Sequence, residues 1–597
     1  MWKDKKYCKN LLVTIYGLII VLCFYFIFGA YFPNINGCIG HDYSLFYPYL
    51  LDGVYWYKCN GIFEVPWFTP SFGGGLPKFP NPQSMYYSVP QFLSFYFEPL
   101  LSIKLTILLF GFLGFIGFYR LLSRFYNVDS YVALLGGTMF LFNGFYLVRM
   151  IVGHLTYHSF MLIPLLAIVL FNKTLKKNYI KDVVIGGLLI AYSIYSGNIH
   201  LLPIMILCIV ALFLLYYLSG KSTINQRYFI IKLFFVVILG LMISAAQLNA
   251  SLSFLSFFPR DFYTLPGYPS FIGLLVIIIS SLLFRGPTKF ANVLMTNKSF
   301  NLGSHEYTYG VTIVPFVLIL LGTYFIIRHN RHKININVFY NIILLLIILS
   351  LPLILNYYST SWNTILKGTP YLKNSSTLIR WISLYIPILI TFSCLLFHKI
   401  DWFYLRERKI AIGLIMVVIS LSFLCLRTSN YHQEPYNPKV LSENYKQLNK
   451  LTPKILSIDK SVILNGSKVQ GNDLFIAGVS QLYPEESIFG YKLEEFPQLN
   501  LRVGDVMLID KNNKLNIKNP VSYVFPKENN LQLGEHFSSS QIIEANKFTG
   551  YSKYKFEISE RQKWANWITT LSLLFVSLLA FLNLLQIINR FYRKFCR

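Results

Sequence analysis

The residues best placed to do chemistry lie early in the chain, in the segment 33–90 that follows the first apolar stretch. His41-Asp42-Tyr43 stands near its start, and Trp67-Phe68-Thr69-Pro70-Ser71-Phe72-Gly73-Gly74-Gly75-Leu76-Pro77 follows. A carboxylate beside a glycine-rich and aromatic-rich turn, held where apolar spans meet water, suits a substrate with one lipid end and one polar end. Asp42 is the candidate general base, since an ionised carboxylate within reach of a hydroxyl can take its proton. The structural alternative is that Asp42 caps a helix starting at Tyr43, because Asp is a favoured N-cap. Asp52, ten residues on, reads as a surface helix residue.

The elements that must position these residues are membrane helices. Of 597 residues, 54% are apolar and 13% charged, and the mean hydropathy is +0.50, which no soluble globule of this length would show. A net charge of +27 raises the question of nucleic acid. The basic residues form no single stripe, however; they recur in short clusters between apolar spans, as the positive-inside rule describes, so no nucleic-acid partner is expected.

A crossing needs about 20 apolar residues. Spans of that kind fall near 11–32, 99–120, 129–148, 155–171, 183–203, 204–219, 229–250, 309–327, 337–356, 377–397, 409–427 and 565–588. With about twelve crossings every basic cluster faces the cytoplasm, from Lys3/Lys5/Lys6/Lys9 to Arg590/Arg593/Lys594/Arg597. Counting the short apolar run 271–284 as a crossing would invert the later clusters, so it reads as interfacial or re-entrant. The expected topology has both termini cytoplasmic, with the segments 33–90, 251–308 and 428–563 outside the cytoplasmic membrane.

Residues 428–563 are polar, with charges of both signs and strand-like runs at 461–464 and 473–477. They read as a small extracytoplasmic α/β domain, between a membrane domain over 1–427 and a final helix with a basic tail over 564–597. No P-loop or dinucleotide glycine motif is present, which argues against ATP-driven transport and against nucleotide-sugar chemistry inside the cell. Cys38 and Cys59 bracket Asp42 in the outward loop. In an oxidising compartment they could form a disulfide closing a loop of roughly 20 residues, worth ~3 kcal/mol; the alternative is two free thiols.

The run Asp42-Tyr43-Ser44-Leu45-Phe46-Tyr47-Pro48-Tyr49, then Trp67 to Pro77, then Tyr86-Tyr87-Ser88-Val89-Pro90, resembles the first outward loop of the GT-C superfamily of multi-spanning glycosyltransferases, and in particular the bacterial YfhO-like membrane proteins. Gly153-His154-Leu155-Thr156, Glu306-Tyr307-Thr308-Tyr309-Gly310 and Pro370-Tyr371-Leu372 with Arg380 support it, in order and on one side of the membrane. The resemblance covers residues 1 to about 427. It implies a GT-C-like helical fold and transfer of a sugar from a polyprenyl-phosphate donor to an envelope glycan, lipid or protein acceptor.

In such a transfer one carboxylate takes the acceptor proton while cations stabilise the departing phosphate. Asp42 is the expected base, and Arg380, Lys373 and Arg149 the expected phosphate ligands, with lipid headgroups as their alternative partners; Arg260 is a further basic residue of this kind. His41, Trp67, Gly74, Tyr86, His154, His158, Glu306 and Tyr309 are the expected substrate-lining residues, and Trp56 a further stacking surface. No cofactor is expected to be required and no metal site is assigned. A divalent metal on His41, Asp42, His305 and Glu306 would have suitable ligand types but lacks any diagnostic spacing.

Two other classes stay open at this level: a transporter or flippase for lipid-linked saccharide, and a polysaccharide polymerase or ligase. Transport calls for polar groups near the bilayer midplane, and the apolar spans here carry almost none.

Overall fold

The structure is a computed structural model. It describes the chain except residues 1, 35–37, 174–175, 259–263, 284–285, 297–300, 312, 330–335, 371, 374, 376, 400–412, 414–433, 448–452, 465, 485–500 and 596–597. The span expected at 409–427 and Arg260 lie outside the described residues.

Most of the described chain is helical. Among the described residues eight helical segments are long and apolar enough to cross a membrane: Asn10–Tyr31, Pro99–Arg124, Ser130–Val152, Ile199–Leu218, Gln226–Ile243, Phe339–Asn356, Ile379–His398 and Glu560–Gln586. The segments expected at 155–171 and 309–327 form shorter apolar helices, and 271–284 contains one of 13 residues, Phe271–Leu283. At ~1.5 Å per residue that helix is about 20 Å long, short of a bilayer core. The span expected at 183–203 is divided: one helix ends at Tyr195 and another begins at Ile199.

Local chemistry sets several of these boundaries. Pro99 starts its helix where the missing N–H costs nothing, and Glu98 accepts the Leu101 N–H at 3.2 Å. Asn143 interrupts Ser130–Val152 and recaps it, its Oδ1 accepting the Tyr146 N–H at 2.8 Å. Lys232 is a buried charge inside a span, against expectation: its Nζ donates to Asp182 at 2.8 Å and to the Val169 and Asn172 carbonyls at 2.7 and 2.9 Å. It closes the open C-terminal end of the helix Ile163–Phe171, so three helices share one cation.

The segment 33–90 folds into a helix, Tyr43–Asn60, followed by a tight hairpin that pairs Phe68 with Pro77 and Thr69 with Leu76. Gly73–Gly75 form its turn, all with positive φ, and dock on the later region. The Gly73 N–H donates to the Gln481 carbonyl at 2.7 Å, the Gly74 N–H to Ser480 Oγ at 3.0 Å, and the Lys518 N–H to the Gly74 carbonyl at 2.8 Å. A further pairing joins Cys38–Ile39 to Glu434–Pro435 in antiparallel register. The later region is thus seated on the first loop through main-chain bonds, and buried residues of both belong to one continuous core.

Within that later region Ser457–Asp459 is the centre of a three-stranded sheet, parallel to Val479–Gln481 and antiparallel to Gly504–Asp505. The strand expected at 461–464 is present and pairs with Ser467–Gln470. The strand expected at 473–477 is instead a 3-10 helix, Gly471–Ala477, bounded by left-handed glycines at 471 and 478 that turn the chain before an extended run can form.

Candidate functional site

Asp42 sits at the N-terminal end of the helix Tyr43–Asn60, but its side chain accepts no capping hydrogen bond. Its carboxylate turns to His154, whose Nε2 lies 2.5 Å from Oδ2. Backbone geometry forces the encounter. The Asp42 N–H donates to the Val152 carbonyl at 2.9 Å, and Gly153 adopts φ 111°, where a Cβ would fall 2.5 Å from the Tyr43 nitrogen and 2.8 Å from the Asp42 carbonyl carbon. Only glycine allows that approach.

His154 continues into an ionic chain. Its Nδ1 is 2.7 Å from Nη1 of Arg149. Arg149 then makes a two-point contact with Glu306, at 3.1 and 2.6 Å, and Arg380 binds the same carboxylate through Nη2 at 2.6 Å and Nε at 3.1 Å. Paired guanidinium–carboxylate contacts of this kind are the strong ones. Tyr157 roofs the cluster, with the Arg149 and Arg380 guanidinium carbons 5.2 and 5.8 Å from its ring centre. Its hydroxyl pairs with Nε2 of His200 at 2.7 Å.

Access differs along this chain. The Arg149 side chain is fully enclosed and Glu306 nearly so, while Asp42, His305 and Arg380 keep 24%, 22% and 24% of their side-chain surface open. Burial opposes ionisation of Asp42, but the contact with Nε2 of His154 outweighs it and holds the carboxyl below the usual carboxylate range. Burial holds His154 below the ordinary imidazole value, helped by Arg149 and Arg380 and opposed by Asp42. Burial likewise pushes His305 down to about 3. Glu306 is held well below its usual value because the two arginines overcome the cost of burying it.

Several expected roles require correction. Arg149 was expected at a phosphate, but it has no open face and its guanidinium is committed to Glu306 and His154. Glu306 was expected to line the substrate; it is instead the closed centre of the ion cluster. Tyr309 is buried, stacked on Phe145 and donating to the Ile379 carbonyl at 2.8 Å. His158 is shut inside the helices, with Nδ1 at the Leu155 carbonyl and Nε2 at the Tyr192 hydroxyl, 2.6 Å each.

The remaining expected residues fall apart in space. His41 is exposed beside Asp42, and its carbonyl accepts from Ser44. Lys373 lies in the turn before Ile379–Leu384, where its carbonyl accepts from Lys367. Trp67 packs edge-on against Phe79, Phe525 and Phe556, and with Trp56 it lines a cleft at the other end of the Tyr43–Asn60 helix. Gly74 faces Leu501 and Ile458.

Tyr86 is buried in a second polar cluster centred on Asp52. Asp52 is not the surface residue expected: it is buried, ion-paired with Lys78, and accepts from Thr69, Ser71 and Tyr551 at 2.7, 2.6 and 3.1 Å. The hydroxyl residues of the Thr69-Pro70-Ser71 turn were the sequence signal for it.

The disulfide expected between Cys38 and Cys59 is absent, and Cys59 is a free, exposed thiol. Cys59 lies in the last turn of the helix Tyr43–Asn60, which at ~1.5 Å per residue is about 24 Å from the helix start that follows Cys38. Among the described residues no group of three His, Cys, Asp or Glu side chains is arranged to hold a metal ion.

No protein-family model and no curated protein matches the sequence. Among solved structures the chain is similar to the archaeal oligosaccharyltransferase AglB from Archaeoglobus fulgidus in complex with an inhibitory peptide and a dolichol-phosphate. That match has 14% identity and a TM-score of 0.36, covering 75% of this chain and 59% of that one. It is also similar to an Archaeoglobus fulgidus oligosaccharyltransferase structure containing Zn and sulfate, with 13% identity and a TM-score of 0.37, over 91% of this chain and 67% of that one. Likeness at this level assigns neither site nor reaction.

Proposed function

We propose that the chain is a membrane glycosyltransferase of GT-C-like organisation, moving a sugar from a polyprenyl-phosphate donor to an extracytoplasmic envelope acceptor. The observation that carries this reading is the state of Asp42: an ionised, partly open carboxylate that caps nothing and is gripped on one side by His154. Its open side is free to accept a proton. In the proposed step an acceptor hydroxyl gives its proton to Asp42 while its oxygen bonds to the anomeric carbon of the sugar. The bond from that carbon to the phosphate oxygen breaks, and its electron pair leaves with the lipid phosphate.

Arg380 supplies the cation for that phosphate. Arg149 and Arg380 share the Glu306 carboxylate, and once Asp42 has taken the acceptor proton these four groups carry one net positive charge; the accessible edge belongs to Arg380 rather than Arg149. The ends of apolar helices nearby, at Val152 and Ile379, support a location of this chemistry beside the lipid on which the donor would arrive.

The test is Asp42→Asn in purified protein, assayed by mass spectrometry for transfer from the copurifying lipid-linked sugar. Turnover should fall by about 10²-fold or more while the melting temperature is unchanged, because no capping bond is lost. Near-normal turnover overturns the assignment of Asp42 as base.

A further inference from the structure

We infer that His154 is a positioning residue: locked by Arg149 as the Nε2–H tautomer, it aims the Asp42 carboxylate and exchanges no proton during turnover. The inference rests on the reading of Asp42 as base and specifies how that base is controlled.

The tautomer follows from donor chemistry. A guanidinium only donates, so Nδ1 of His154, 2.7 Å from Arg149 Nη1, must accept with its lone pair. The ring proton then resides on Nε2 and points to Asp42 Oδ2 at 2.5 Å. A second proton would have to enter at Nδ1, directly against the arginine. Arg149 cannot withdraw: its side chain is wholly enclosed, held by both oxygens of Glu306 and flanked by the rings of Phe145 and Tyr157 at 5.4 and 5.2 Å.

The imidazole plane is fixed as well. It stacks on Tyr157 at 5.3 Å with a 27° tilt, and His305 meets it edge-on at 5.1 Å. The charged and titratable groups around it are Asp42, Arg149, Arg380, His305, Glu306 and Tyr157; burial of the ring, aided by the two arginines, opposes a second proton against the pull of Asp42. Gly153 completes the clamp by pressing the preceding peptide onto the Asp42 main chain. A histidine paired with a carboxylate commonly shuttles protons; here its second nitrogen is already occupied.

Two measurements test this, one independent of activity. In ¹⁵N-histidine solid-state NMR of the wild-type protein, with His154 assigned by the signal lost in His154→Gln, Nε2 should be protonated and Nδ1 unprotonated from pH 5 to pH 8. A protonated Nδ1 at pH 6 overturns the proposal.

In turnover, His154→Gln can still donate to Asp42 and accept from Arg149, and should keep kcat within a few-fold with an unchanged pH profile. His154→Ala should lose roughly 10-fold or more in kcat at unchanged donor KM, since a wandering base is lost from the productive geometry. A folded His154→Gln as inactive as Asp42→Asn would show that His154 moves a proton, and an unimpaired His154→Ala would show that it positions nothing. Normal activity in Asp42→Asn would instead defeat the underlying reading of the base and leave the NMR result standing by itself.

Discussion

Glu306 and Arg149 stand 157 residues apart in the chain, yet Oε2 of one accepts from Nη2 of the other at 2.6 Å, with both side chains withdrawn from solvent. Arg380 closes on the same carboxylate. The loop 304–307 and the ends of two apolar helices are thereby joined through one anion.

Glu306→Gln should therefore be one of the most damaging single changes outside the apolar core. The amide keeps the volume but leaves two arginines facing each other in a closed space, and removing one member of a buried ion pair costs about 3–5 kcal/mol. A thermal melt in detergent should show the loss directly, and a melting temperature within a degree or two of wild type would mean that the cluster contributes little. Glu306 has a depressed carboxyl value, so its contribution is present above the unfolded pKa and disappears as pH falls through the folded one. The wild type should lose stability in acid below about pH 4.5, and Glu306→Gln should lack that dependence.

Asp473 shows the opposite sign. Burial raises its carboxyl from 3.8 to about 7, although the Tyr436 hydroxyl donates to it at 2.8 Å and works the other way. The folded protein keeps this proton through a window in which the unfolded chain has lost it, so stability declines as pH rises from about 4 to about 7, by at most ~1.4 kcal/mol per unit. Asp473→Asn should melt above the wild type at pH 8 and level with it at pH 4. A constant difference between the two across that range would contradict the buried, protonated state.

The expected orientation can be checked at Asn512, an exposed residue of the 510–513 turn. Ser480 would be a poor reporter, being buried against Gly74. In a background with Cys8, Cys38, Cys59 and Cys596 replaced by Ser, Asn512→Cys should react with an impermeant maleimide added to intact cells, while exposed Lys221→Cys should react only after permeabilisation. The reverse pattern would place the Asp42 cluster on the cytoplasmic side and remove the extracytoplasmic acceptor.

By itself the sequence determined the membrane class and most of the apolar helices, because these depend on a local quantity, hydropathy over about 20 residues. It also brought Asp42, His154, Glu306 and Arg380 forward as candidates, without their connections. Only the tertiary structure decided which of them are open and which are spent on one another. Arg149 and Glu306 looked available in the sequence because each lacks a partner nearby, and each found one across more than 150 residues. Asp52 looked like a surface residue because Thr69, Ser71, Lys78 and Tyr551 converge on it only after the hairpin folds back. The separation of Cys38 from Cys59 has the same origin: 21 positions along the chain imply proximity until a rigid helix is placed between them, and its rise of ~1.5 Å per residue then holds them apart.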